Sequence, residues 1–318
     1  MEKFINKKTV RILYFGTPDI SAIVLENLII EKYNIIGVVA QVDKEHDRKG
    51  RLISVPTKVI AQKYNIPVFQ KEKIRTDFEF IKDLKPDIIL TMAYGQIMPH
   101  NLLMIPKYGC FNLHGSLLPK YRGAAPIQFA LLNGDNETGV TLMEMVDKMD
   151  AGKMFYKKVV PIDDNDNYSS LKIKIAKCCF DVFDDGIEDV LNKKNLGIEQ
   201  NEKEITFTSK INTELERLNF FEESCKIKNI IRALSYEPGT HFVYHNVKFK
   251  VFKVEDFKTS KICEPGTIIK YDKNGFCIST SDGYLSILEL QKPGKNRMDF
   301  KSFYNGMQHY FKVGDKVE

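Results

Sequence analysis

The sequence predicts an α/β chain: an open, Rossmann-like parallel sheet in the N-terminal part, then a smaller β-rich domain closing into a barrel. Three observations carry this. From residue 10 to residue 94, short apolar runs bounded by turn signals alternate with segments of helical apolar spacing. That alternation is the pattern of parallel strands joined by right-handed crossovers. Beyond residue 236 the pattern changes to short strands separated by turns. Finally, 318 residues at 43% hydrophobic content suffice for two domains.

Taken in order, residues 10–15 read as a buried strand with Gly16-Thr17-Pro18 as its turn, 20–30 as a helix and 34–41 as a second strand. Residues 67–70 make a short third strand, 74–84 a helix and 87–94 a fourth strand. The first turn carries one glycine, with neither Gly-x-Gly-x-x-Gly nor a Walker lysine, so no dinucleotide is expected. A helix over 125–133, strands over 137–146 and 154–161 and a long helix over 170–191 follow. Asp163-Asp-Asn-Asp-Asn167 has the start of a calcium loop but not its glycine or terminal glutamate, and reads as a helix-capping turn. Residues 192–204 are polar without apolar period and begin a linker, and a helix over 223–234 leads onward. The domains expected are therefore 1–191 and 223–318, joined by 192–222. In the second, strands over 240–244, 247–254, 266–271, 275–280 and 284–290 are punctuated by hairpin turns at Asp272-Lys-Asn-Gly275 and Ser281-Asp-Gly283.

The net charge of +5 permits a nucleic-acid partner without requiring one. None of the six cysteines (Cys110, Cys178, Cys179, Cys225, Cys263, Cys277) forms Cys-x-x-Cys, so reduced, mostly buried thiols and no metal are expected. Cys110, two residues before Asn112, is a candidate nucleophile only as the minor reading. The first apolar run is too short for a signal peptide or membrane span, and a cytoplasmic monomer is expected.

The chemistry concentrates in Gly109-Cys-Phe-Asn-Leu-His-Gly-Ser-Leu-Leu-Pro-Lys-Tyr-Arg-Gly-Ala-Ala-Pro126. Its first half reads as a fifth strand, on which Asn112 and His114 project to one face. In open parallel sheets ligands gather beyond the carboxyl ends of the strands, where these two stand. An amide NH2 and an imidazolium N–H aimed at one point can hold an oxygen that gains negative charge in acyl transfer. Asp150, in a turn closed by Gly152 after the strand over 137–146, is the carboxylate that could raise the His114 pKa and fix its tautomer.

The run Asn112-x-His-Gly-Ser-Leu-Leu-Pro119, followed by Tyr121-Arg-Gly-Ala-Ala-Pro-Ile-Gln128, resembles the signature of formyltransferases that use 10-formyltetrahydrofolate. The likeness runs from Arg11 to Lys295. It implies Asn112, His114 and Asp150 as catalytic groups and Ser116, Leu117, Leu118 and Pro119 as the folate site. It also implies an OB-like second domain and initiator methionyl-tRNA as formyl acceptor. In the tRNA-directed members a basic loop enters the acceptor stem; here it corresponds to residues 42–52, with Arg48, Lys49 and Arg51. Glu45, His46 and Asp47 replace that loop's usual Gly and Pro residues. Lys292, Lys295 and Arg297 form a second basic loop suited to phosphate. Three alternatives stay open: a sugar-nucleotide amine as acceptor, glycinamide ribonucleotide as acceptor, or a nucleic-acid-binding module with an inert site.

Overall fold

The computed structural model describes residues 4–46, 49–261 and 263–318. It divides into two compact units, Met1–Pro126 with Glu137–Pro161 and Lys172–Thr208, and Ile127–Asn136 with Ile162–Leu171 and Ser209–Glu318.

The first unit opens with β1 (Ile12–Gly16), α1 (Asp19–Ile30), β2 (Ile35–Ala40), α2 (Pro56–Lys63) and β3 (Val68–Gln70). α3 (Phe80–Leu84), β4 (Ile88–Met92), α4 (His100–Leu103) and β5 (Cys110–His114) follow. The apolar runs of β1 and β4 are buried at every position, as strands covered on both faces must be. β1 pairs in parallel with β2 and β4, β2 with β3, and β4 with β5. The order reverses between β1 and β4, the kind of switch point that opens a crevice beyond the strand ends.

Past β5 come β6 (Arg122–Gly123), α5 (Pro126–Leu132), β7 (Glu137–Glu144) and β8 (Met154–Pro161). The full sheet has seven strands in the order β3-β2-β1-β4-β5-β7-β8. β7 runs antiparallel to β5, and β8 antiparallel to β7. The parallel sheet expected from the sequence is therefore completed by an antiparallel hairpin at one edge. The β7–β8 connection is too short for a crossover, so the chain must turn straight back, and that turn holds Asp150.

After α6 (Tyr168–Leu191), the segment read as the start of a linker runs through Thr208 in the first unit and ends in β9 (Phe207–Thr208), which pairs with β6. The helix expected over 74–84 is confined to Phe80–Leu84. The Gln96 side chain accepts the Ile74 N–H, and the Thr76 hydroxyl bonds the Lys73 carbonyl, so this stretch is held by long-range and turn contacts. α2, with proline in its first turn, has no counterpart in the sequence reading. Among the described residues no helix is long and apolar enough to cross a membrane, and no cluster of metal-ligating side chains is present.

In the second unit α7 (Ser224–Leu234) precedes β10 (Thr240–Tyr244), β11 (Val247–Lys258), β12 (Ile268–Asp272), β13 (Gly275–Ser279) and β14 (Gly283–Gln291). β15 (Met298–Asp299) and α8 (Phe300–Met307) close it, the helix capped by the Asp299 carboxylate on Ser302 N. The strands form an antiparallel sheet in the order β10-β11-β14-β13-β12, with β15 on β14. Phe242, Phe249, Phe276 and Phe311 fill its core, with the Phe242 and Phe249 rings stacked 5.6 Å apart. Truncating Phe242, which is fully buried, leaves a cavity that its ring neighbours cannot close. Phe242→Ala is expected to cost about 3–5 kcal/mol, measurable as a lower urea midpoint.

Candidate active site

The strand register sets the site. Asn112 on β5 lies opposite Thr91 on β4, and His114 opposite Thr141 on β7. The Thr91 hydroxyl donates to Asn112 Oδ1 at 2.8 Å. With its oxygen held, the amide presents its NH2 outward, where no acceptor among the described residues meets it.

The His114 ring is nearly buried, and its Nε2 lies 2.8 Å from the Tyr121 carbonyl. A carbonyl only accepts, so Nε2 carries a hydrogen and Nδ1 is the nitrogen left to face Asp150. Nδ1 faces Asp150 Oδ2 at 3.8 Å, an ion-pair separation beyond hydrogen-bond length. The tautomer is thus fixed by Tyr121, correcting the expectation that Asp150 fixes it. Asp150 supplies charge.

Asp150 stands in the β7–β8 turn at φ 49°, the left-handed region that few non-glycine residues adopt. Its Oδ2 accepts the Gly123 N–H at 2.8 Å. Two glycines make this possible for different reasons. Gly123 has φ 118°, and a Cβ there would meet the Thr208 carbonyl at 2.2 Å. A Cβ on Gly152 would meet the Glu144 carbonyl at 2.1 Å, so the turn closes only without a side chain there.

The loop after His114 folds on itself. Ser116 is fully buried, and its hydroxyl donates to the Lys120 carbonyl at 2.6 Å. Thr141 Oγ1 donates to the Ser116 carbonyl and accepts from Leu118 N. Leu118 packs against Met143 and Met154, Pro119 is buried, and Leu117 packs over Gly139. The Ser116 hydroxyl and the Leu118 side chain therefore hold the loop together. Cys110 is buried, its thiol directed at the Leu103 carbonyl, and burial pushes its pKa well up, which removes it as a nucleophile.

Sequence reasoning missed Thr91, the Tyr121 carbonyl and Gln200. Gln200 is buried and bonds both the Asp150 turn and Arg122. It lies in a stretch with no periodic signal, and Tyr121 contributes only backbone.

Of the basic positions, Arg48 lies outside the described residues. Lys49 and Arg51 are exposed in a loop whose base is tied by Asp43 to Val55 N and Lys58, with a bridge between His46 and Leu52. In the second unit Lys295 is exposed, and Lys292 sits over the Tyr310 ring. Arg297 is exposed and engaged from one side, 2.9 Å from Glu289 and 3.5 Å from the Tyr236 ring centroid. Beyond the ends of β2, β3 and β4 opens a cleft of about 400 Å³, lined by Gln41, Lys44, Lys73, Arg75, Gln96 and Ile97 among others.

Asn112, His114 and Asp150 bring an amide, an imidazole and a carboxylate together near the end of β5. Residues 8–183 match the family described as formyl transferase, and residues 210–308 the formyl transferase C-terminal domain. The chain belongs to the formyl transferase family. Its full-length relatives include the methionyl-tRNA formyltransferase of Mesoplasma florum, 38% identical over 97% of this chain and 99% of that protein. That of Staphylococcus aureus strain MW2 is 37% identical over 96% of this chain and 99% of its own length. Solved structures of the same fold include WlaRD, a sugar 3N-formyl transferase crystallised with dTDP and 5-N-formyl-THF. It is 24% identical at a TM-score of 0.65, covering 90% of this chain and 99% of its own. HypX from Aquifex aeolicus in complex with tetrahydrofolic acid is 15% identical at a TM-score of 0.64, covering 97% of this chain and 50% of its own.

Gly152→Ala is expected to move the Asp150 turn off the Glu144 carbonyl and lower kcat for formyl transfer by roughly 100-fold, read in a steady-state assay.

Proposed function

We propose that this chain transfers the formyl group of 10-formyltetrahydrofolate to the α-amine of methionine on initiator methionyl-tRNA, yielding N-formylmethionyl-tRNA for translation initiation. The observation that carries the reading is the convergence at the end of β5. There the Asn112 amide is turned outward by Thr91, and the His114 ring is fixed by Tyr121 with Asp150 beside its free nitrogen.

In the reaction the neutral amine nitrogen bonds the formyl carbon, and the bond from that carbon to the folate nitrogen breaks. Negative charge grows on the formyl oxygen, where Asn112 Nδ2 and a protonated His114 Nδ1 can donate to it. Asp150 stabilises the charged ring. With Oδ2 engaged by Gly123, its Oδ1 is the oxygen for the proton the amine gives up, and the folate nitrogen gains one in turn. No enzyme nucleophile is needed, because the donor arrives with its formyl group activated.

The loop from Ser116 to Pro119 forms a wall of the folate site through its backbone and Leu117. Lys44, Lys73 and Arg75 in the cleft suit the donor's carboxylates. Lys49 and Arg51, with Arg48 in the same loop, and Lys295 and Lys292 are the candidate phosphate contacts, which would make binding fall with salt. Arg297 acts as a brace. Catalysis belongs to the first unit and acceptor binding draws on the second. Every group named in the mechanism lies in the first unit.

Formyl transfer to methionyl-tRNA, with a sugar-nucleotide amine as the competing acceptor, tests the assignment: turnover only on the latter overturns it. On charged tRNA, Asn112→Ala is expected to lower kcat by about 10²–10³-fold, and near-normal turnover rejects the oxyanion role.

A further inference from the structure

We propose that Gln200 is a positioning residue for formyl transfer, its carboxamide locking the Asp150 turn to the Arg122 strand and so setting the spacing of Asp150 and His114. The inference rests on the assignment of those two groups to the reaction.

The amide's orientation follows from its partners. Nε2 donates to the carbonyls of Asp150 and Gly152, each at 2.8 Å, and Oε1 accepts from Arg122 Nε at 2.9 Å. Carbonyls only accept and a guanidinium only donates, so the reverse orientation is excluded. Both hydrogens and the oxygen are used, inside a nearly dry site.

These contacts tie together the two segments that fix the reacting pair. On one side, Tyr121 gives its carbonyl to His114, and Gly123 gives its N–H to Asp150. Arg122, itself buried, lies between them. On the other side is the 150–152 turn, where Asp150 holds a left-handed conformation that the two carbonyl contacts pin from both ends. His114 and Asp150 are 3.8 Å apart and share no hydrogen bond, so their anchors determine their separation. Gln200 joins these anchors alongside the direct bond from Gly123 N–H to Asp150. Six residues on, Thr206 accepts the Tyr121 N–H on its hydroxyl and the Arg122 N–H on its carbonyl, which keeps the same segment in register.

Two variants of the full chain separate the contacts. Gln200→Met keeps volume and removes every bond. Gln200→Glu keeps an acceptor for Arg122 but sets a carboxylate against the two carbonyls. Both are expected to lower kcat by roughly 10- to 100-fold, with KM for the folate donor and for methionyl-tRNA changed less than about threefold. In an Asp150→Ala background, Gln200→Glu is expected to cost less than about threefold more, because groups that act as a unit are not additive. Wild-type kcat in Gln200→Glu, or its full cost persisting without Asp150, overturns the proposal. If Gln200→Met does not fold, Gln200→Glu alone decides. Wild-type turnover in Asp150→Ala itself would instead overturn the assignment of the catalytic carboxylate, so the two failures are distinguishable.

Discussion

The hydrogen bond from His114 Nε2 to the Tyr121 carbonyl is the constraint on which the site depends. It commits one ring nitrogen to backbone and leaves the other to face Asp150. Meeting it requires the chain to leave β5, turn through Ser116 to Lys120 and return within seven residues. That return is tight: Tyr121 sits at φ 63° and Gly123 at φ 118°. The loop is held from within by Ser116 and Thr141 and from outside by the pairing of β6 with β9. A strained return of this kind persists only where its surroundings over-determine it. The packing of residues 200–208 belongs to the site for that reason.

What the sequence made legible follows the periodicities of side chains. The two-residue repeat of a strand puts Asn112 and His114 on one face, and the alternation of strand and helix fixes the parallel order. Asp150 is legible as a carboxylate in a glycine-closed turn after a strand. Backbone contributions are not legible in this way. The Tyr121 carbonyl carries no residue-type signature, because any residue there has a carbonyl. Gln200 stands alone in a polar run, and a single buried amide has no period to reveal it. The shortened helix before β4 has the same origin: Gln96, some twenty residues distant, takes the Ile74 N–H. Apolar spacing cannot foresee a side chain arriving from elsewhere.

The basic residues of the second unit also make contacts within it. Arg297 belongs to a run that reads as phosphate-binding, and its guanidinium lies 3.5 Å from the Tyr236 ring centroid and pairs with Glu289. Lys292 covers the Tyr310 ring. In a chain without tryptophan, these cations cover tyrosine faces of the β-rich unit. Charge count and charge availability are separate quantities here.

The antiparallel hairpin that carries Asp150 leaves β8 as the last strand of its sheet. An end strand offers unpaired amides and carbonyls to whatever chain drifts past, which is how folded proteins come to polymerise edge to edge. β8 presents adjacent lysines, Lys157 and Lys158, and ends in Pro161. Lys157 donates to the Leu118 carbonyl, Lys158 pairs with Asp181, and the proline has no amide to offer. At its start β8 is bridged to Ile198 through Met154, so this edge is partly engaged by its own chain.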